Sequence, residues 1–275
     1  MQRTLETDTY SNLPPHIMGR EVVFMVGYLI WAEPQKGQRS VRLEERHILR
    51  MRFLQAEVTS SPHGAVLRRR CAAAGKKLRK RGVTQVILPE GVPFPEQLAK
   101  CGLRPVSTLA LRRAVAADWV RADLAAKGQP VPGARVAVVA AALTGEVVRT
   151  VTELCLRHRY VLLDLPYGGE ELCRQLRREY GVSLLLGPSK DQLEGAEALV
   201  LFDPRTDLSL TNPVALRLYD EKQALPPLLL PPGMEEELPE GVDRGRLLAV
   251  LRETGALRRE QIVLGTERRT ADGET

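Results

Sequence analysis

Residues 134–166 read ARVAVVAAALTGEVVRTVTELCLRHRYVLLDLP, and this stretch decides the fold. It opens on a valine-rich strand, passes through a tight turn and a helix, and closes on a second strand that ends in Asp164. Strand, turn, helix and strand in that order form a crossover unit, which joins parallel strands. The alternation continues with Gly168–Tyr180 as a helix, Val182–Leu186 as a strand, a short helix or turn over Ser189–Gly195, and Ala196–Phe202 as a strand. The pattern predicts an α/β fold with a Rossmann-like parallel sheet and helices on both faces over residues 134–203.

Ligands on open parallel sheets bind beyond the carboxyl ends of the strands. That edge gathers residues 141–145, 164–169, 187–190 and 203–205. The candidate ligand-binding residues are Ala141, Thr144, Gly145, Asp164, Gly168, Ser189, Lys190 and Asp203. Dinucleotide-binding units carry G-x-G-x-x-G after the first strand and an acid about 20 residues on. Alignment on Gly145 puts Ala140, Ala142 and Gly145 at the three glycine positions, and Asp164 lies 19 residues beyond the last. The acid fits. The two alanines add methyl groups where the chain turns and where a pyrophosphate would approach the backbone. Asp164 and Asp203 also suit turns after strands, a common use of Asp.

Upstream, Thr108–Lys127 reads as a long helix that links two lobes, with Ser107 or Thr108 as its cap. The breaker GQPVPG, 128–133, marks an internal boundary. Glu21–Trp31 (EVVFMVGYLIW) and Ile48–Val58 (ILRMRFLQAEV) read as two strands of one long hairpin. Ala32–Ser40 between them is polar. A bare hairpin must pack on the body of the chain or on another subunit; the unusually apolar run favours the subunit, so a homo-oligomer through residues 21–58 is expected. The organisation is then residues 1–63 as an N-terminal arm and hairpin, 64–127 as a small α/β lobe with the connecting helix, 134–264 as the Rossmann-like lobe, and 265–275 as a disordered tail.

Ala65–Arg81 forms an amphipathic helix with Leu67, Cys71, Ala74 and Leu78 on one stripe. Its other faces carry eight cations and no acid, with Arg69, Lys77 and Lys80 as a candidate anion patch. Such a face serves an acidic partner or nucleic acid; it equally serves as a solvated face whose basic end suits the helix dipole. Nucleic acid is disfavoured because no aromatic residues sit nearby for base stacking. Farther on, Ala215–Tyr219 suggests an edge strand, and the proline-rich PPLLLPPGMEEELP, 226–239, suggests an extended, irregular segment. Val242–Thr254 suggests a last helix capped by Asp243, and Gln261–Leu264 a short strand.

With 40 Lys and Arg against 34 Asp and Glu, the net charge of +6 is compatible with anionic ligands. Cys71, Cys101, Cys155 and Cys173 are widely spaced, which suits reduced packing thiols in a cytoplasmic protein. The four histidines share no metal-ligand spacing, so no metal site is expected. The longest apolar run is too short for a bilayer, which takes about 20 residues. The polar start lacks the features of a signal peptide.

No nucleophile elbow and no phosphate-binding P-loop is present. His158, in LRHRY, reads as an exposed residue at the outer end of a helix rather than a general base. The leading expectation is a protein that binds a small, nucleotide-type molecule or serves assembly, without an evident catalytic centre. The layout of a smaller α/β lobe, a link helix and a βαβ unit over Thr108–Pro166 is similar to the shikimate dehydrogenase group. That resemblance implies, as the alternative, an NAD(P)-dependent oxidoreductase. The group's catalytic lysine and aspartate have no matching positions here, so none is carried over.

Overall fold

The computed structural model describes residues 26–34, 39–89 and 91–265. The expected N-terminal arm, the first residues of the Glu21–Trp31 strand and the expected C-terminal tail after Gly265 lie outside them. Two five-stranded sheets share one core.

The first sheet holds β1 (Val26–Ala32), β2 (Val41–Ile48), β3 (Met51–Thr59), β4 (Gln85–Ile87) and β5 (Arg104–Pro105) in the order β2-β3-β1-β4-β5. The expected hairpin is corrected here. β1 and β3 are neighbours, but they run parallel, with Val26 opposite Phe53 and Ala32 opposite Thr59. The antiparallel partner of β3 is β2, paired from Val41–Val58 to Ile48–Met51. Leu49 and Arg50 make the two-residue turn, both with positive φ, as right-twisted hairpins require. β2 is rich in charge (VRLEERHI) because it is an edge strand, where charged side chains deter pairing with another chain. β1 lies in the middle of the sheet, with Tyr28 and Leu29 buried on opposite faces. Its apolar run is therefore consumed within the chain.

One face of this sheet is covered by α1 (Gly64–Lys80) and α2 (Pro95–Ala99), and the stripe residues Cys71, Ala74 and Leu78 are fully buried. On the other face, Val26, Tyr28, Phe53 and Ile87 join one core with residues of α3 (Leu109–Ala126), whose buried residues lie around most of its circumference.

The second sheet holds β6 (Arg135–Val139), β7 (Tyr160–Asp164), β8 (Leu185–Leu186), β9 (Ala198–Leu201) and β10 (Val214–Arg217) in the order β10-β9-β6-β7-β8. Every pairing in it is parallel, with Ala137 opposite Leu162 and Val138 opposite Val200. The chain winds outward from β6 to β8, crosses back and winds out again from β9, so the strand order reverses between β6 and β9. This is a Rossmann-like arrangement.

Val136, Val138, Leu163 and Val200 pack on α3, α4 (Gly145–Cys155), α5 (Gly169–Tyr180) and α8 (Arg244–Glu253). The opposite face, with Ala137, Val139, Leu162, Leu199 and Leu201, packs on Leu193 of the five-residue α6 (Lys190–Glu194) and on loop residues Ala196 and Leu208. Helices thus lie on both faces, but thinly on the second. Residues 226–239 are more regular than expected. β11 (Leu228–Leu229) pairs antiparallel with β12 (Val263–Leu264), and prolines open α7 (Pro232–Glu235), where their missing N–H costs nothing. Burial pushes the Cys155 thiol up to about 12, which makes it a packing group.

Candidate functional site

At the point of strand reversal, the ends of β6 and β9 are joined by Phe202 N–H donating to the Val139 carbonyl at 2.9 Å. Just beyond, the Asp203 carboxylate accepts from the Ala141 amide at 2.8 Å, across 62 residues of sequence. Asp203 thereby fixes the start of the loop that leads into α4. Thr144 caps α4 by accepting from the Val147 amide at 3.3 Å. The amides of Gly145 and Glu146, which open the helix, have no acceptor among the described residues. Such amides, at the positive end of a helix dipole, attract anions. Glu146 follows them and is drawn aside to Arg113 at 2.9 Å.

Asp164 ends β7 with a partly exposed side chain. Its Oδ2 accepts from Arg205 Nη1 at 2.5 Å. The same guanidinium donates from Nε and Nη2 to both oxygens of Asp207, at 2.7 and 2.8 Å. Arg205 therefore bridges two carboxylates at the strand ends. Its hydrogen bonds hold the Asp207 carboxyl down to about 2. Arg205 belongs to the edge segment 203–205 read from sequence, but its pairing with Asp164 carries no sequence signal, because 41 residues separate the two.

Gly168 has φ of 82°, a left-handed conformation that favours glycine. A Cβ there would stand 2.9 Å from Leu143 Cδ2, so the loops after β6 and β7 meet at this point. Beside it, a cavity of about 540 Å³ is lined by Pro166, Tyr167, Gly168, Glu171, Leu186 and Gly187, among others. Tyr167 is 85% exposed at its rim.

Ser189 and Lys190 are engaged locally. Ser189 and Gln192 form a capping box on α6, and Lys190 Nζ lies 3.7 Å from Glu194. The reversal point thus gathers Ala141, Thr144, Gly145, Asp164 and Asp203 with Arg205, whereas Ser189 and Lys190 face partners in their own helix. Among the described residues, no group of three or more His, Cys, Asp or Glu could hold a metal ion. No described helix is long and apolar enough to cross a membrane.

The basic helix α1 divides its cations. Lys77 Nζ donates to the Val41 carbonyl at 2.7 Å, and Arg70 donates to the carbonyls of Thr59 and Ser60, so both fasten the helix to the sheet. Arg69 and Lys80 are exposed and have no hydrogen bond or ion pair to other side chains among the described residues. Arg68 lies 5.0 Å from the centroid of the Phe94 ring.

The expectation of an exposed His158 is corrected. α4 ends at Cys155, and the chain folds back so that His158 is only 3% exposed. Its Nδ1–H donates to the Val131 carbonyl at 2.7 Å, and Nε2 has no partner among the described residues. Burial lowers its pKa. It fastens β7 to the turn that precedes β6 and lies away from the carboxyl edge.

No family model and no curated protein matches the chain. Among solved structures it is similar to a D-lactate dehydrogenase from Treponema pallidum, with a TM-score of 0.28, 14% identity and coverage of 55% of this chain and 49% of that one. It is similar also to an L-tryptophan dehydrogenase from Nostoc punctiforme, with a TM-score of 0.26, 13% identity and coverage of 54% and 44%. A putative aspartate carbamoyltransferase from Leishmania major gives a TM-score of 0.25, 15% identity and coverage of 64% and 60%. The chain spans about half the length of the two dehydrogenases. No residue role is transferred from any of them.

Proposed function

We propose that the chain binds a small nucleotide-type anion at the carboxyl edge of its second sheet. The observation that carries this reading is that the open amides of α4 and the Arg205 guanidinium both lie on the loops that leave β6 and β9, the neighbouring strands between which the order reverses. A topological switch point leaves a crevice between loops that diverge to opposite sides. Here Asp203 holds one loop in place and Asp164 orients the arginine. The amides are complementary to a phosphate, and Arg205 keeps N–H donors beyond the three it gives to Asp164 and Asp207.

The alanines refine the ligand. The Ala140 methyl is packed in the core, but Ala142 is exposed on the loop itself. Its methyl narrows the approach that a pyrophosphate needs, which favours a nucleoside monophosphate over a dinucleotide. Asp164, Asp203 and Asp207 are each engaged by Arg205 or a backbone amide, which favours binding over catalysis.

A thermal-shift comparison with adenosine 5′-monophosphate, NADH and NADPH tests it. Stabilisation by the monophosphate of about 2.7 kcal/mol at a hundred times its dissociation constant is expected, with loss of that effect in Arg205→Ala. Stabilisation that persists in Arg205→Ala, or none by any of the three, removes the reading.

A further inference from the structure

The crossover from β8 to β9 contains only the five-residue α6, too short to cover the sheet face beneath it. The bare part of that face lies toward the amino ends of β6, β7 and β8, opposite to the carboxyl edge. Sheet register assembles it: Arg135 stands opposite Tyr160, and Leu162 stands opposite Leu185. These side chains share one side of the sheet because they sit on alternate residues of paired strands. The result is a cavity of about 730 Å³, within the range of small-molecule sites. Its apolar surface includes Tyr160, 49% exposed, and Leu185, 45% exposed. Tyr160 and Leu185 stand open on the same side of the sheet and give the cavity its apolar floor.

The charge of the lining defines the ligand further. Arg135, Arg159 and Arg177 line the cavity, and among the described residues no Asp or Glu does. Arg135 is held by Glu197 at 3.0 Å. Arg159 lies 5.5 Å from the Tyr160 ring centroid and, like Arg177, has no carboxylate partner among the described residues. Ser183 and Gln192 supply neutral hydrogen-bonding groups. We infer that this amino-end cavity is a second binding site, for a small aromatic anion. Its ring rests on Tyr160 and Leu185, and its phosphate or carboxylate pairs with Arg159 and Arg177.

Titration calorimetry on the full chain tests this with phenyl phosphate as probe, and with phenol and inorganic phosphate as controls. Phenyl phosphate binds with a dissociation constant below about 1 mM, and each control binds at least about tenfold more weakly. The double variant Arg159→Ala/Arg177→Ala loses at least about tenfold in affinity, whereas Arg205→Ala, at the other edge of the sheet, retains it. Both arginines are exposed, so the double variant keeps the wild-type melting temperature. Absence of phenyl phosphate binding, equal affinity in the double variant, or loss in Arg205→Ala overturns the assignment. So does a dimer in sedimentation that Leu185→Glu dissolves, since a second copy would then cover the face.

Discussion

Arg205 Nη1 donates to Asp164 Oδ2 at 2.5 Å, and the rest of its guanidinium is clamped on Asp207. The acid at the end of β7 is thus bound by the protein's own cation. The Asp207 carboxyl sits at about 2 because that cation hydrogen-bonds it. In Arg205→Ala it should return to about 3.9, the ordinary Asp value, as read by carbon-13 NMR of the carboxyl carbons. The folded pKa is depressed, so the pair stabilises above the unfolded value and its contribution fades as pH falls from about 4 toward 2. A carboxyl that still titrates near 2 in the variant would show that another group holds it.

Asp118 is the electrostatic centre of the interior. Its carboxylate, 12% exposed, meets Arg157 at 2.5 Å, Arg121 at 3.2 Å and Arg259 in direct contact. The three arginines come from α3, the end of α4 and the C-terminal segment, so one acid ties together parts far apart in sequence. Asp118→Ala would strand the half-buried Arg259 guanidinium and should destabilise by about 3 kcal/mol. Urea unfolding measures this; a change under about 1 kcal/mol would mean that the neighbouring backbone carbonyls satisfy the guanidinium groups.

The second sheet was legible because its buried strands are continuous apolar runs separated by amphipathic helices: β6 and β7 open and close the unit read over residues 134–166, and Ala198–Leu201 falls inside the strand read over Ala196–Phe202. What escaped has physical causes. β2 is coated with Arg and Glu because it is an edge, so it resembles a loop. Its turn is Leu49–Arg50, without the Asn-Gly or Asp-Gly that marks a two-residue hairpin. His158 lies just past a helix end, where no periodicity reports which way a side chain points. At the candidate site, the positions of Asp164 and Asp203 followed from the strand ends, but their partners Arg205 and the Ala141 amide are set by strand order, which local pattern does not encode.

That unmarked turn yields a prediction of its own. Arg50 is exposed with φ of 68°, a left-handed conformation that an L-residue adopts at a cost. Leu49 shares the strain, but its side chain is buried in the core, so its replacement would lose packing. Arg50→Gly should therefore stabilise the protein by about 0.5–1 kcal/mol, the relief being partly offset by the freedom glycine gains on unfolding. A rise in the urea midpoint with unchanged slope is the expected result, and a fall would place the strain elsewhere.

Gly168 offers the opposite case. Its φ of 82° strains any side chain, and a Cβ would stand 2.9 Å from Leu143 Cδ2, which would have to shift. Gly168→Ala should destabilise by about 1–2 kcal/mol and displace the loop after β7, weakening monophosphate binding at the carboxyl edge. Equal stability and equal binding would mean that Leu143 moves aside freely.

His158 sets a pH response through burial. It is enclosed, with Nδ1–H committed to the Val131 carbonyl and Nε2 without a partner among the described residues. Its folded pKa lies below the ordinary value near 6.5, because burial disfavours the charged ring and nearby Arg157 adds repulsion. As pH falls through the unfolded value, the unfolded chain takes up a proton that the folded chain resists, so stability declines on the acid side. His158→Asn keeps a donor for the Val131 carbonyl but cannot titrate. Urea midpoints measured between pH 7.5 and pH 5 should fall more steeply in the wild type than in this variant. Parallel slopes would show that the imidazole is protonated within the fold, its charge met by a group other than Val131.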